Sequence, residues 1–320
     1  MPRTALDSTA LDSTPPDLTD RLVVITGANS GLGLGLTERL AAAGAEVVMA
    51  VRNREKGERA AEGVRGRNPD ARLRLLDCDL ADLGSVRAAA QTLLDEGRAV
   101  DILINNAGIM AVPDRRETID GFELQFGSNH LGPFALTGLL MPALQKADAP
   151  RVMSTSSIVA RIGRWQWNNL NAERRYSAWG AYALSKLANL AFARELQRRS
   201  VLEGWGVTST AAHPGGTSTN LQVTGPRDGR PVEGAAKRRM DRIMQTVDEG
   251  IRPALVAAAS PTALPGAYYG PNGAMEVRGA ASLAWVPFPA RDASALVRLW
   301  DVSEQLTGVR YAEHAETVSR

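Results

Sequence analysis

Cysteine, histidine and lysine are scarce in this chain of 320 residues. Cys78 is the only cysteine, which excludes an internal disulfide framework and a zinc site built from several cysteines. The three histidines, at positions 130, 213 and 314, do not show the close spacing of a metalloprotease motif, so we expect no catalytic metal. A single cysteine is typical of a reducing compartment, and we expect a cytoplasmic protein.

Long apolar runs and charge of one sign are missing as well. No uninterrupted apolar stretch reaches the 18 or so residues that a membrane-spanning helix needs, so we expect no membrane partner. The 37 basic residues are balanced by 35 acidic ones, which gives no support to nucleic-acid binding. Residues 1–18 repeat the letters TALDS and contain no apolar core of a signal peptide, so we expect a disordered tail there.

What the sequence does have is a regular alternation of short β-branched runs and longer helical runs. It begins at "RLVVITG" and continues to "GVTSTAAHPG", near position 215. Repeated β-α units of this length predict an α/β fold: a single doubly wound parallel-sheet (Rossmann) domain over residues 19–312, followed by a C-terminal tail over 313–320. In such sheets ligands bind beyond the carboxyl ends of the strands, at the switch point.

A glycine-rich segment, "TGANSGLG" at 26–33, closes the first predicted strand and opens a helix. Gly27, Gly31 and Gly33 let the backbone turn tightly and approach a pyrophosphate, which the free N–H groups of a helix N-terminus attract. A glycine cluster alone is compatible with a simple tight turn. In the first strand-turn-helix unit, it favours a nucleotide site.

A tyrosine and a lysine stand four residues apart in "YALSK", inside a run that predicts a helix. Tyr182 and Lys186 therefore project from the same helix face. A nearby ammonium lowers the pKa of a phenol, so Tyr182 could exchange protons near neutral pH. A surface tyrosine beside a solvated lysine is the alternative for this pair alone, although the chain has only four lysines, at positions 56, 146, 186 and 237.

Seven motifs in order resemble those of the short-chain dehydrogenase/reductase family. They are "TGANSGLG", "DCDL", "NNAG" at 105–108, "NHLG" at 129–132, "STSS" at 154–157, "YALSK" and "HPGGTSTNL". The resemblance runs from Leu22 to at least Leu221. The segments "NHLG", "LSKLANL" and "LWDVSEQLTGV" are most similar to the branch that includes retinol dehydrogenases and their bacterial relatives.

This resemblance implies a catalytic tetrad of Asn129, Ser157, Tyr182 and Lys186. Tyr182 would be the proton donor in carbonyl reduction, and Ser157 would hydrogen-bond the substrate carbonyl. Lys186 would lower the tyrosine pKa and hold the nicotinamide ribose. Asn129 would keep a proton-relay water beside that lysine. The expected function is oxidoreductase activity that interconverts a carbonyl and an alcohol.

The resemblance also implies NADP(H) as the cofactor. Val51 stands where the family's ribose-binding acid would be, and Arg52 follows it, as in members that accommodate a 2'-phosphate. Asn29, Ser30 and Lys56 are possible additional phosphate contacts. The expected cofactor-binding residues are Gly27, Asn29, Ser30, Gly31, Leu32, Gly33, Arg52, Asn53, Asp79, Leu80, Asn105, Ala107, Gly108, Tyr182, Lys186, Pro214, Gly215, Thr217 and Thr219.

Two segments are expected to form the outer wall of the substrate pocket. The gap from Ser157 to Tyr182 is longer than the family usually has, and the added segment at 158–180 contains three tryptophans and a tyrosine, at 165, 167, 179 and 176. Residues 221 to about 247 are expected to form a helical lid, with Met240, Ile243, Met244 and Val247 on one apolar face. Packing of that face onto the domain core is the alternative. Indoles and thioethers favour a bulky hydrophobic or aromatic carbonyl as substrate.

Two alternatives stay open at this point, and a third is disfavoured. The chain could bind a dinucleotide without turnover, as a regulatory protein, or it could be an NAD-dependent alcohol dehydrogenase. Light-dependent protochlorophyllide reductases share a lengthened region before the tyrosine, but they use an active-site cysteine, whereas Cys78 falls on the adenine side. A homodimer is possible, although the insertion ahead of Tyr182 can block the surface through which family members often pair.

Overall fold

Eight strands form one sheet in the part of the chain that this computed structural model describes, residues 9–217 and 244–311. Their order is β3-β2-β1-β4-β5-β6-β7-β8, and all neighbours are parallel except β7 and β8. The strands are β1 (Leu22–Thr26), β2 (Glu46–Val51), β3 (Arg72–Asp77), β4 (Ile102–Asn105), β5 (Arg151–Thr155), β6 (Thr208–Ala212), β7 (Tyr268–Pro271) and β8 (Ala281–Leu283). The strand order reverses between β1 and β4, which places the switch point there. The expected doubly wound α/β fold is confirmed.

Helices connect the strands and cover both faces of the sheet. The α-helices are α1 (Gly31–Ala42), α2 (Arg54–Arg67), α3 (Leu83–Asp95), α4 (Leu124–Phe126), α5 (Gly132–Leu144), α6 (Ala178–Leu202), α7 (Val247–Gly250), α8 (Arg252–Ala259) and α9 (Ala293–Thr307). A π-helical turn, Gly127–Leu131, joins α4 to α5, and short 3₁₀ turns occur at Ile158–Ile162, Ala274–Glu276 and Phe288–Ala290.

The hydrophobic core lies in two layers, one on each face of the sheet. Leu22 and Val24 of β1 pack into a layer with residues of α3, α5 and α9. Val23 and Ile25, which alternate with them, pack into a layer with residues of α1, α2 and α8. Because both faces are covered, most residues of β1, β2 and β4 are apolar rather than alternating with polar ones, as is typical of parallel sheets.

Helix α6 passes through the interior and carries the "YALSK" segment. Ser177 caps its N-terminus by accepting a hydrogen bond from Gly180 N at 3.3 Å. Nearly every residue from Ala181 to Ala193 is buried, because the helix packs against the sheet, the π-helical turn and α9. A helix that is buried on all sides brings its polar residues into the interior, so Tyr182 and Lys186 are not surface residues.

The N-terminal segment differs from the expectation of a disordered tail over 1–18. Residues 9–18 lie along the domain: Leu11 N donates to Ala281 O at 2.8 Å, and Leu18 N donates to Ala43 O at 2.7 Å. Leu18 is buried in the core layer of α1, and Leu11 packs against the same layer. Burial of these two leucines outweighs the polar composition of the segment. Residues 1–8 lie outside the described residues.

The expected lid also differs where it can be compared. Residues 218–243, with Met240 and Ile243, lie outside the described residues, as do residues 312–320. Met244 is not helical, and Gln245 N donates to Gly216 O at 2.7 Å. Thr246 then caps the new helix α7, whose first residue, Val247, packs on Gly35 of α1. The expectation of a helical face shared by Met244 and Val247 was therefore wrong.

Candidate active site

The glycine turn after β1 is built for close approach by a ligand. Gly27 has φ +65°, and a Cβ on Gly33 would lie 2.2 Å from Gly27 O, so no other residue fits at position 33. Helix α1 starts at Gly31 without a side-chain hydrogen bond from Ser30. Its first N–H groups are thus left for an anion. Asn29 and Leu32 are half-buried in the same turn. This arrangement fits the pyrophosphate of a dinucleotide.

Thr26 joins that turn to the loop after β4, the neighbouring strand. Its Oγ1 accepts hydrogen bonds from Asn106 N and Ala107 N, both at 3.0 Å. The Asn106 side chain returns a hydrogen bond to Thr26 O at 2.9 Å. The Asn105 side chain points the other way and donates to Thr137 Oγ1 at 2.9 Å. Thr26 was not among the expected site residues, although it is the first residue of "TGANSGLG".

At the carboxyl end of β2, Arg52 is exposed and has no hydrogen bond or ion pair within the described residues. Asn53 caps α2 by accepting a hydrogen bond from Lys56 N at 2.8 Å. By contrast, Arg54 pairs with Asp77 at 3.0 Å and with a glutamate one turn on. Among the described residues neither Arg52 nor the Lys56 ammonium, in the first turn of α2, has a side-chain partner, so both cations remain available to an anion.

After β3 the chain turns at Asp79, whose Oδ1 accepts a hydrogen bond from Ala81 N at 3.0 Å. The next residue, Leu80, is buried, and its carbonyl lies against Gly132 at the start of α5: a Cβ there would be 2.5 Å from Leu80 O. Asp77 and Asp79 do not share a ligand, because Asp77 is exposed and pairs with Arg54.

Asn129 is completely buried in the π-helical turn. Its Oδ1 accepts from Ile109 N at 2.8 Å, and its Nδ2 donates to Ile109 O and to Ser185 Oγ, both at 2.9 Å. Turns of this kind are frequent at functional sites. A Cβ built on Gly108 would lie 3.2 Å from Asn129 Oδ1 and 3.1 Å from Lys186 Nζ. Gly108 therefore lets the amide and the ammonium approach the same point.

Lys186 is buried, and its Nζ donates to Thr155 O, at the end of β5, at 3.1 Å. Asn189, about one helical turn further along the same face, donates to the same carbonyl at 3.0 Å. Burial lowers the pKa of Lys186 to about 8, because an ammonium loses its hydration there. The lysine is thus positioned by the backbone of β5.

Tyr182 lies beside Ser157, close enough for the serine hydroxyl to favour the ionised phenol. Ser157 Oγ also accepts from Val159 N at 3.2 Å. Ser156 is directed elsewhere: its Oγ donates to Lys186 O at 2.7 Å. The two serines thus point apart, and Ser157 is the one that contacts the tyrosine.

Contrary to the expectation, Lys186 does not lower the pKa of Tyr182. Burial raises the pKa of Tyr182 to about 12, and the nearby Ser157 hydroxyl offsets only part of that effect. Lys186 Nζ is 5.9 Å from the centre of the phenol ring and is itself buried. Desolvation of the phenolate thus outweighs the ammonium, and the phenol stays protonated at neutral pH.

The loop after β6 forms a further border of the site. Gly215 has φ +65°, and Pro214 O accepts hydrogen bonds from Thr217 Oγ1 at 2.7 Å and from Gln245 Nε2 at 2.8 Å. Thr217 is buried. Thr219 lies outside the described residues.

The aromatic residues of the 158–180 insertion differ in their contacts. Trp165 Nε1 donates to Pro289 O at 3.0 Å, and its ring stacks on Trp167 at 4.9 Å, with Arg298 of α9 over Trp167. Tyr176 donates to Val112 O. These contacts anchor the insertion to the rest of the domain, and the place of these three side chains in a pocket wall stays a prediction. Trp179 differs: it is 48% exposed, and its ring lies 6.1 Å from that of Tyr182, edge to face.

Nowhere in 9–217 or 244–311 do three or more histidine, cysteine, aspartate or glutamate side chains group together as metal ligands would. In the same residues no helix combines the length and apolar character that crossing a membrane requires.

Comparison with known proteins agrees with this geometry. The family model for short chain dehydrogenases matches residues 21–228. Retinol dehydrogenase 12 from Homo sapiens is 38% identical over 296 residues, which cover 92% of this chain and 88% of the relative. Retinol dehydrogenase 14 from Mus musculus is 39% identical over 303 residues, covering 90% and 86%. The crystal structure of an uncharacterized protein from Mycobacterium Paratuberculosis shares 39% identity, covers 95% of this chain and 100% of that chain, and has a TM-score of 0.77. This chain belongs to the short-chain dehydrogenase/reductase family, in its retinol dehydrogenase-like branch.

Proposed function

We propose that this oxidoreductase uses NADP(H) to interconvert a carbonyl and an alcohol on a bulky hydrophobic or aromatic small molecule, with Tyr182 as proton donor and acceptor. The observation that carries the proposal is the buried contact between Tyr182 and Ser157, with Lys186 and Asn129 held behind it. A protein that only binds a dinucleotide has no use for this arrangement.

The four residues divide the work in the following way. Ser157 Oγ donates to the substrate carbonyl and stabilises the negative charge that develops on its oxygen. Tyr182 donates its proton to that oxygen, and a pKa of about 12 keeps the phenol protonated until then. Lys186 holds the ribose next to the nicotinamide and replenishes the phenol proton. Asn129 fixes the Ile109 backbone beside Lys186. A bound reduced nicotinamide supplies the hydride.

NADP(H) rather than NAD(H) is supported by the charges around the adenosine end. Val51 removes the carboxylate that would bind a 2'-hydroxyl and repel a 2'-phosphate. Arg52 is exposed without a carboxylate partner in the described residues, while Arg54 is occupied by Asp77. Lys56 lies in the first turn of α2, four residues after Arg52. The cofactor would lie across the glycine turn, the 105–108 loop and the Pro214–Gly215 loop.

A bulky apolar substrate is supported by Trp179 and by the relatives. Trp179 exposes about half of its surface next to the Tyr182 ring, and indole offers a large apolar contact without fixed charge. Two relatives are named for retinol, a long apolar alcohol. We therefore include retinal in the class of candidate substrates, together with ring-bearing ketones and aldehydes.

The test is turnover of NADPH and NADH with a panel of carbonyls, followed by the loss of nicotinamide absorbance. The panel includes short aliphatic aldehydes, aromatic ketones, quinones and retinal. We expect turnover with NADPH, and higher kcat/KM for the bulky carbonyls. Absence of turnover with every carbonyl, in a protein that binds NADPH, would favour the non-catalytic alternative; a preference for NADH would overturn the cofactor assignment.

A further inference from the structure

A buried carboxylate, Glu276, lies behind the site on a 3₁₀ turn between β7 and β8. It is 2% exposed. Its Oε2 is shared by His213 Nε2, at 3.0 Å, and by the Arg161 guanidinium, while Oε1 accepts from Trp285 N at 3.0 Å. Burial opposes ionisation, but the hydrogen bonds and the arginine outweigh it, so the pKa of Glu276 is lowered. The carboxylate is therefore charged.

His213 connects Glu276 to the loop that closes the nicotinamide end. Its Nδ1 accepts a hydrogen bond from Gly215 N at 3.2 Å. With Nδ1 as acceptor, the ring hydrogen sits on Nε2 and is donated to the carboxylate. The backbone adds to this contact: Gly216 N donates to Val277 O at 2.7 Å, and a Cβ on Gly215 would lie 2.4 Å from the same oxygen. Glu276 and its neighbour thus set the path of the loop.

Arg161 connects the same carboxylate to the catalytic serine. It lies four residues after Ser157, in the 3₁₀ turn that Ser157 caps. It also donates to Met275 O at 3.2 Å. A third element supports the serine from below, because Tyr268 Oη donates to Ser157 O at 3.2 Å and its ring lies 5.1 Å from that of His213.

The turn that presents Glu276 is strained. Met275 and Glu276 have φ of +55° and +58°, a left-handed conformation that costs free energy in any residue with a side chain. Such conformations persist only where surrounding contacts fix them, and they cluster at functional sites. Here the contacts of Glu276 with Arg161 and His213 are the ones that fix it.

We propose that Glu276 is a positioning residue: by binding Arg161 and His213 together, it fixes the distance between the Ser157 hydroxyl and the loop that holds the nicotinamide. The inference rests on the proposed function. Glu276 does not touch substrate or cofactor. It acts because hydride and proton transfer require the carbonyl and the nicotinamide to stay in register, and a misplacement of about 1 Å costs roughly 100-fold in rate.

The test compares Glu276→Gln with a matched control, Glu195→Gln. Glu195 is also buried and also shared by two arginines, Arg198 and Arg199, but it lies about 20 Å along α6 from Tyr182. We expect Glu276→Gln to lower kcat at saturating NADPH and carbonyl by roughly 10- to 100-fold, to leave the dissociation constant for NADPH nearly unchanged and to increase the deuterium isotope effect of 4-deuterated NADPH. Glu195→Gln should keep the wild-type kcat.

Arg161 gives a second, milder variant if the loss of a buried carboxylate unfolds the chain. Arg161→Gln should lower kcat in the same way, and Arg161→Lys, which restores the charge, should recover most of it. Equal kcat values for Glu276→Gln, Glu195→Gln and wild type would overturn the inference. Tyr182→Phe is measured in parallel: if it is inactive, the proposed function stands whatever the Glu276 result, and if it is fully active, the proposed function fails.

Discussion

Lys186 Nζ donates to the carbonyl oxygen of Thr155 at 3.1 Å, so the lysine reaches across from α6 to the end of β5. Burial lowers the pKa of this ammonium to about 8. If Lys186 holds the cofactor ribose, as we propose, its ammonium is lost as pH rises through 8 and the affinity for NADPH weakens. We expect the NADPH dissociation constant to rise roughly 10-fold between about pH 7 and pH 9.5, the value of one charge-assisted hydrogen bond.

The measurement is a fluorescence titration with NADPH, which needs no turnover. Lys186→Met should bind weakly with little dependence on pH. Lys146→Met is the control, because Lys146 is exposed and donates to Gly97 O, remote from the site. An affinity that stays constant through this pH range in the wild-type protein would show that Lys186 does not bind the cofactor.

Cofactor choice is tested by the contrast between Arg52 and Arg54. Arg52→Ala should raise the KM for NADPH roughly 10- to 100-fold, since a phosphate loses a charge-assisted contact, and should change the KM for NADH little. Adding Val51→Asp should shift the preference further towards NADH. Arg54→Ala, whose guanidinium already pairs with Asp77, should keep the preference of the wild type. If Arg52→Ala and Arg54→Ala behave alike, the 2'-phosphate is not bound by Arg52.

Substrate selectivity is tested by two tryptophans of the same insertion. Trp179→Ala removes an exposed ring next to Tyr182 and should lower kcat/KM for bulky carbonyls roughly 10-fold, which corresponds to about 1.4 kcal/mol of lost contact. Small aldehydes should be affected much less. Trp165→Ala should lower the melting temperature and leave selectivity intact, because its ring packs on Trp167 and bonds Pro289 O. A selectivity change in Trp165→Ala alone would reverse these assignments.

The buried imidazole of His130 makes the free energy of unfolding depend on pH. It is buried among Phe126, Phe134 and Phe192 and hydrogen-bonds Ser303 Oγ at 2.8 Å. Burial lowers the pKa of His130 to about 3. The unfolded chain binds this proton near the ordinary pKa of 6.5 and the folded chain does not, so acid favours unfolding. This part of the stability is complete above pH 6.5 and falls by about 1.4 kcal/mol per pH unit below it, until about pH 3.

The check is urea denaturation of wild type and His130→Asn at pH 7.5 and pH 5.0. Carboxylates titrate equally in both proteins, so the difference between them isolates the imidazole. Between these pH values the wild-type free energy of unfolding should fall by about 2 kcal/mol more than that of the variant. Parallel losses would mean that His130 is protonated in the folded chain.

The fold and much of the site were predictable because their signals are local. The glycine turn, the order of β-α units and the Tyr182–Lys186 spacing each depend on a few adjacent residues. Strands β7 and β8 lie beyond the last predicted strand and were not predicted, because they are short. Glu276 could not be found, because its partner His213 stands 63 positions away and nothing in either segment indicates the contact. The direction of the Trp165 indole could not be predicted either, because its partner Pro289 is distant in the sequence.

The expectation of a lowered pKa for Tyr182 was wrong for a physical reason. Helical spacing indicates which residues share a face, but it does not measure how much water each side chain retains. Tyr182 is 4% exposed, and desolvation of the phenolate therefore exceeds the effect of the nearby ammonium. Leu18 was likewise expected to lie in a disordered tail, because the sequence does not show that its apolar contact lies on α1 and not in its own segment.

The central claim is that the Tyr182 hydroxyl transfers the proton, and Tyr182→Phe tests it most directly. The variant keeps the ring, its contact with Trp179 and the burial of α6, and loses only the oxygen. With the carbonyl that the wild type reduces best, we expect kcat to fall roughly 10²- to 10⁴-fold while NADPH binds with the wild-type dissociation constant. A Tyr182→Phe variant that retains most of the wild-type kcat would contradict the account.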